Sequence, residues 1–145
     1  MLIQRIKISN YKTYLSLDLD LTVDDDRPII LIGGSNGGGK TTLFEAISGA
    51  LYGLKIESKE HFAELLNQGA LGKAKPEISL QITFVGKVLG QQQKYILKRT
   101  YQLNPQGRPL ESVSLNMNGN VYVYGTMTPL KERLRAEQEI NKIIK

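Results

Sequence analysis

The stretch "GGSNGGGKTT" at residues 33–42 constrains the fold more than any other part of the chain. Residues 34–41, "GSNGGGKT", match the pattern G-x-x-x-x-G-K-[ST] in full. A loop of this kind lies between a β-strand and an α-helix. The preceding run "IILI", residues 29–32, is apolar without alternation, which predicts a central strand buried on both faces. The sequence therefore predicts the order strand, glycine loop, helix.

The residues of this loop suit the binding of a polyphosphate. Main-chain N–H groups must approach the anion closely, and Gly37, Gly38 and Gly39 permit this by removing side chains and allowing positive φ. The ammonium of Lys40 can lie between the β and γ phosphates, and the hydroxyl of Thr41 can bind Mg²⁺. We therefore expect ATP and Mg²⁺ as cofactors, bound by Gly34, Ser35, Asn36, Gly37, Gly38, Gly39, Lys40, Thr41 and Thr42.

Two other interpretations of the glycines are weaker. A flexible linker would not be expected between a buried strand and an amphipathic helix that begins at a lysine. A dinucleotide-binding G-x-G-x-x-G loop lacks the Lys-Thr pair and needs an acidic residue about twenty positions later, at the end of a second strand. Glu57 lies in a polar, helix-like region instead.

The flanking segments predict a mixed chain of helices and strands. After the loop, Leu43, Phe44, Ile47, Ala50 and Leu51 recur at helical spacing, with Gly53 as the stop. A serine-capped helix at "SKEHFAELLNQG" places the only histidine, His61, on its surface. Domain organisation is predicted as one lobe over residues 1–145, with an antiparallel strand pair at 1–24, the strand, loop and helix at 27–54, a strand-rich part at 76–125 and a helix at 128–144.

Within the strand-rich part, "VSLNMNGNVYVY" predicts a hairpin. A two-residue Asn118-Gly119 turn of type I′ would pair Leu115 with Tyr122 and Val113 with Tyr124. The preceding "YILKRTYQL" alternates as a half-buried strand, but Arg99 interrupts its apolar face. The last helix is expected to start at Thr128-Pro129 and to carry a thin apolar stripe of Leu130, Leu134 and Ile144.

Composition excludes several classes of protein. The chain has 145 residues, 41% hydrophobic and 23% charged, as in a globular domain. It lacks cysteine, which excludes disulfides and thiolate metal sites and fits a cytoplasmic location. No run of eighteen apolar residues and no secretory leader are present, so we expect no membrane partner.

The net charge of +5 is concentrated in one window. Residues 71–110 contain a single acid, Glu77, against the basic residues Lys73, Lys75, Lys87, Lys94, Lys98, Arg99 and Arg108. Such a window can be a footprint for nucleic acid, or simply a solvated face.

The segments "LIQRIKISNYKTYLSLDLDL" and "RPIILIGGSNGGGKTTLFEAISGALYG" resemble the N-terminal lobe of the SMC, SbcC, RecN and RecF group of ABC-type ATPases. Residues 27–53 are most similar to the DNA sulfur modification protein DndD and its relatives. The resemblance covers residues 1–55. It implies an α/β fold of the ABC/SMC head type, in which a central sheet carries the P-loop strand and helix beside an antiparallel β-subdomain.

The resemblance also implies roles and partners. Asn36 would approach the γ phosphate, and Lys12, in the turn "NYKTY", would contact nucleotide or DNA. The implied partners are a C-terminal lobe of the same protein, a second head in an ATP-driven homodimer, and double-stranded DNA at the nucleoid. The implied roles are DNA repair, DNA modification or defence.

Hydrolysis in this group also needs an apolar strand ending in Asp-Glu, a Leu-Ser-Gly-Gly loop and a histidine switch, and the sequence contains none of them. We therefore expect the chain alone to bind Mg-ATP weakly without turning it over, with a coiled coil following the last helix. Two alternatives stay open at this point: a small self-contained P-loop kinase or GTPase, and a nucleotide-gated interaction module without hydrolysis.

Overall fold

The structure is a computed structural model that describes residues 1–34, 39–126 and 130–144. Its elements, in chain order, are β1 (Leu2–Tyr11), β2 (Tyr14–Asp20), α1 (Lys40–Tyr52), α2 (Lys59–Leu65), a single 3₁₀ turn (Gln68–Ala70), β3 (Ile78–Val88), β4 (Gln91–Leu103), β5 (Pro109–Met117), β6 (Asn120–Gly125) and α3 (Leu130–Ile144). The predicted mixed α/β class is confirmed.

The six strands form one antiparallel sheet in the order β2-β1-β3-β4-β5-β6. All neighbours but one are consecutive hairpins, and the exception is the pairing of β1 with β3. The strand pair predicted at residues 1–24 and the strand-rich part predicted at 76–125 are therefore both present, and the pairing of β1 with β3 joins them into one sheet. A small kinase or GTPase would need a parallel sheet, so this topology argues against that alternative.

One face of the sheet carries the core. Alternate residues of β3, Ile78, Leu80, Ile82 and Phe84, are all at most 1% exposed, as their period of two predicts. Helix α1 packs on this face against β1, β3 and β4, with Leu43, Ala46, Ala50 and Leu51 turned toward it. Phe44 is 58% exposed on the opposite side of the helix, so its predicted place in the apolar stripe is wrong.

The β5–β6 hairpin has the predicted register. Val113 pairs with Tyr124 and Leu115 pairs with Tyr122. Asn118 and Gly119 have φ of 51° and 90°, and positive values at both turn residues define the type I′ turn.

The predicted strand at residues 29–32 is wrong. Residues 28–34 have no regular secondary structure, and Ile29 and Leu31 are 76% and 91% exposed. A strand is stabilised by hydrogen bonds to a neighbouring strand, and nothing in the described part of the chain pairs with these residues. The P-loop strand of the central sheet that the resemblance implies is therefore not found among the described residues.

Helix α3 packs against β6 through Ile140, which is 1% exposed. Of the predicted stripe, Ile144 also packs against the core, whereas Leu134 is 47% exposed and its predicted place in the stripe is wrong. The side chain of Leu130 lies outside the described part of the chain. The predicted start at Thr128-Pro129 lies outside the described residues. Among the helices that the structure describes, none is long and apolar enough to cross a membrane.

Candidate functional site

The site is built around the start of α1. Gly39 occupies the N-cap position with φ 94° and ψ 6°, a left-handed conformation that disfavours residues with a Cβ. Its carbonyl accepts the first helical hydrogen bond, from the N–H of Leu43 at 2.9 Å. Of the predicted loop, Ser35, Asn36, Gly37 and Gly38 lie outside the described residues.

Gly34 and Lys40, six residues apart in the chain, lie side by side. A Cβ placed on Gly34 would be 3.5 Å from Cγ and 3.6 Å from Cδ of Lys40. The aliphatic stem of Lys40 thus runs along the backbone that enters the loop, and the side chain is partly buried. Thr41 is exposed and Thr42 is partly buried on the first turn of α1.

The turn between β1 and β2 packs directly against Gly39. The hydroxyl of Tyr14 donates to the carbonyl oxygen of Gly39 at 2.9 Å. A Cβ on Gly39 would lie 2.8 Å from that hydroxyl and 3.2 Å from Oγ1 of Thr13. The sequence analysis missed Tyr14, because the alternation of β2 groups it with Ser16, Asp18 and Asp20 on the polar face and gives no sign of a contact with Gly39.

The same turn is held from the other side by the last residue of α2 and by the segment after it. The N–H of Lys12 donates to the carbonyl of Leu65 at 2.7 Å, and the side-chain amide of Asn67 donates to the carbonyl of Lys12 at 2.7 Å. Lys12 itself has φ 48°. The turn that contacts the glycine loop is therefore fixed by main-chain hydrogen bonds as well as by its own strands.

The Lys12 side chain contacts α1. Its Nζ lies 2.6 Å from Oε2 of Glu45, four residues after Thr41, and 5.6 Å from the centre of the Tyr11 ring. The hydrogen bond that Lys12 donates to Glu45 raises the pKa of Lys12 above its ordinary value, and burial opposes this. Lys12 and Thr41 line the same shallow cleft.

The local chemistry fits a bound anion. Among the residues that the structure describes, no side chain caps the N-terminus of α1, and its first turn contains no acidic residue. The N–H groups at such a helix start are left to an external acceptor. Polyphosphate would meet those groups together with Lys40, and the Thr41 hydroxyl is a suitable oxygen ligand for Mg²⁺.

Arg99 is a second residue whose role the sequence analysis missed. It points into the core from β4, is 5% exposed, and donates to the carbonyl oxygens of Ala50 and Leu51 at the far end of α1. The signal was the interruption of an apolar strand face by one arginine. The basic window of residues 71–110 therefore contains one charge that is not on the surface.

The profile of the AAA domain family matches residues 5–145, nearly the whole chain. The chain belongs to this AAA domain family.

Curated relatives of this AAA domain include the SbcC component of the nuclease SbcCD from two Staphylococcus aureus strains. The protein of strain MRSA252 is 25% identical over 83 residues, 57% of this chain, and that of strain JH9 is 28% identical over 76 residues, 52% of this chain. Each match covers only 8% of the relative's length.

Among solved structures, one from work on ATP-driven dimerization and DNA-stimulated activation of SMC ATPases aligns with a TM-score of 0.49 and 19% identity, over 84% of this chain and 72% of that one. The AAA domain assignment and the similarity to SbcC confirm the recognition of an SMC/SbcC-type ATPase lobe. The DndD subgroup stays a prediction.

Proposed function

We propose that this AAA domain is the N-terminal half of the nucleotide-binding head of a longer SMC/SbcC-type ATPase, which binds ATP and Mg²⁺ at residues 34–42. The observation that carries the proposal is the start of α1: a left-handed Gly39 followed by Lys40, whose stem lies along Gly34. Phosphate binding needs this combination of free helix N–H groups, glycine and one ammonium.

The proposed roles of the residues follow from their chemistry. Lys40 would neutralise charge on the β and γ phosphates, and Thr41 would bind Mg²⁺. The metal would screen the negative charge of the phosphates. Lys12, which is already paired with Glu45, would act at the rim of the site by holding α1 against the β1–β2 turn.

Nucleotide binding is tested with Lys40→Ala in the full-length protein. We expect the loss of most affinity for a fluorescent ATP analogue in the presence of Mg²⁺, because the ammonium that faces the phosphates is removed. Lys59→Ala, an exposed lysine on α2, is the matched control and should bind as the wild type does. Equal binding by all three proteins would refute the proposed site.

We propose the outer face of the sheet as the part of the basic window that contacts double-stranded DNA. Gln81 on β3 pairs with Lys7 of β1 on one side and with Lys98 of β4 on the other. The two lysines therefore stand in one row on the face opposite the core. At a strand spacing of about 4.8 Å their Cα atoms lie roughly 10 Å apart. Lys94 lies on the same face of β4.

The DNA contact is tested by the salt dependence of DNA binding in the full-length protein with ATP. The double variant Lys94→Gln/Lys98→Gln should lower the slope of log affinity against log salt by about 2, one unit for each lost phosphate contact. Lys73→Gln/Lys75→Gln, which removes two charges from the same window but outside the sheet, should leave the slope unchanged. The reverse result would move the contact to residues 71–77.

We further propose that the segment 29–32 and the exposed side of α1 are covered by a C-terminal lobe of the same protein, and that two such heads associate around ATP. Ile29, Ile30, Leu31 and Ile32 are 76%, 41%, 91% and 37% exposed. Four consecutive apolar residues in water are unfavourable by roughly 25 cal/mol per Å² of apolar surface. Phe44 and Tyr52 add apolar surface on α1, at 58% and 64% exposed.

A further inference from the structure

The C-terminal end of α1 is held by residues from the sheet. The last four carbonyl groups of any helix lack partners within the helix. In α1 the N–H of Gly53 donates to the carbonyl oxygen of Gly49 at 2.8 Å, and the last turn contains no basic residue of its own. The carbonyls of Ala50 and Leu51 therefore need donors from elsewhere.

Arg99 supplies both donors. Its Nε lies 2.8 Å from the oxygen of Ala50 and its Nη2 lies 3.0 Å from the oxygen of Leu51. A guanidinium presents its N–H groups in a fixed plane, so two adjacent carbonyls fix its orientation and are fixed by it. Its positive charge also complements the negative end of the helix dipole.

Glu111 and Tyr101 hold the other edge of this arginine. Oε2 of Glu111 lies 3.7 Å from Nη1 of Arg99 and accepts from the Tyr101 hydroxyl at 2.5 Å. The N–H of Leu54 donates to the same hydroxyl at 2.8 Å. A buried guanidinium without such partners would be strongly destabilising.

The chain leaves α1 through the middle of this cluster. Gly53 has φ 91°, and a Cβ on it would lie 3.3 Å from Oε2 of Glu111 and 3.4 Å from Nη1 of Arg99. The last turn of the helix and the residue after it are thus fixed to β4 and β5 together.

We infer that Arg99, supported by Glu111 and Tyr101, is a positioning residue for nucleotide binding: it fixes α1 from its far end and so sets where Lys40 and Thr41 stand. The inference rests on the proposed function of residues 34–42. A helix of 13 residues is a rod about 20 Å long, so a shift or rotation at residues 50–51 displaces its first turn as well. The packed core beneath α1 leaves the helix few alternative positions, so the contact of Arg99 with its C-terminal end is enough to fix the position of the whole helix.

The test compares Arg99→Met with Arg108→Met in the full-length protein. Arg108 lies exposed in the β4–β5 turn, where its described hydrogen bonds come from its backbone, so it is a control for the same chemical change. At a temperature well below both melting transitions, we expect Arg99→Met to bind Mg-ATP about tenfold more weakly. In the absence of nucleotide, hydrogen exchange at residues 43–46, toward the opposite end of the helix, should be faster in Arg99→Met than in the wild type. Arg108→Met should match the wild type in both.

The conservative variants separate positioning from stability. Arg99→Lys keeps the charge but cannot span two carbonyls, so its affinity for Mg-ATP should lie between those of Arg99→Met and the wild type. Glu111→Gln keeps an acceptor for the Tyr101 hydroxyl, so it should lose less affinity for Mg-ATP than Arg99→Met does. If Arg99→Met does not fold, these two variants decide the matter. A lower melting temperature with unchanged affinity and unchanged exchange at residues 43–46 overturns the inference.

The outcomes also separate this inference from the proposed function. If the wild type binds Mg-ATP and every Arg99 variant binds equally well, the function stands and the inference fails. If the wild type does not bind, the function fails. Exchange at residues 43–46 then still decides whether Arg99 controls the position of α1.

Discussion

At the scale of single residues, Gly39 is a position that tolerates few substitutions. It combines a left-handed backbone with close contact to Tyr14 and Thr13. Gly39→Ala should lower the free energy of unfolding by about 2 kcal/mol, because a left-handed alanine costs about 1–2 kcal/mol before any steric shift. Gly33→Ala, where a Cβ meets nothing within 4 Å, should be near neutral in the same urea titration. Adding Tyr14→Phe to Gly39→Ala should recover part of the loss, and strict additivity of the two substitutions would contradict a steric conflict between them.

Two inward tyrosines of β4 should respond in opposite directions to removal of their hydroxyls. The hydroxyl of Tyr95 is buried with no hydrogen-bond partner among the described residues, whereas that of Tyr101 has two. Tyr95→Phe should therefore raise the free energy of unfolding by about 1 kcal/mol, and Tyr101→Phe should lower it by about 1–2 kcal/mol. Denaturant titration at neutral pH measures both, and changes of the same sign would contradict the different hydrogen bonding of the two hydroxyls.

The same tyrosine predicts a loss of stability at alkaline pH. Burial first, and then the charge of Glu111, raise the pKa of Tyr101 above its ordinary value of 10.0. Because the folded state holds this proton more tightly, the contribution is fully present below pH 10 and is lost as the pH rises above it. Tyr101→Phe should make the decline of unfolding free energy above about pH 10 less steep than in the wild type. An unchanged slope would mean that ionisation of Tyr101 does not cause this decline in stability.

At the scale of elements, local chemistry decided which predictions succeeded. The β5–β6 hairpin follows from four residues, "NMNG", because a type I′ turn fixes the register of both strands. The period of two in β3 likewise placed its buried residues correctly. Both patterns depend on neighbours that are close in the sequence.

The failures depend on distant partners. Residues 29–32 have the composition of a buried strand, but an apolar run specifies burial without specifying the strand that pairs with it. Arg99 looked like an interruption because its acceptors, the carbonyls of Ala50 and Leu51, lie nearly fifty residues earlier. The contact of Tyr14 with Gly39 could not be predicted for the same reason, because the two residues are far apart in the sequence.

The segment 29–32 gives a prediction for the full-length protein. Leu31→Asp should lower the melting temperature and the yield, because it places a charge where the C-terminal lobe is proposed to pack. Leu89→Asp is the control, since Leu89 is 100% exposed in the β3–β4 turn and no partner is proposed for it. Equal effects of the two substitutions would argue against a covering lobe.

At the scale of the whole molecule, the sheet separates two tasks. Its inner face is apolar and holds α1, and with it the candidate phosphate site. Its outer face carries polar and basic side chains, among them Lys7 and Lys98. Strand β4 connects the two faces directly, because it carries Arg99 inward and Lys98 outward.

The pairing of β1 with β3 sets the order in which the protein can be completed on the ribosome. Ile8 pairs with Leu80, so β1 waits for some seventy further residues before the edge that faces β3 is covered, while β3 to β6 close by successive short turns. Pulsed hydrogen exchange during refolding should therefore show that the amides of β4 and β5 become protected before those of β1. Until then the nascent chain carries an exposed β1 edge, which leaves this strand open to mispairing during synthesis.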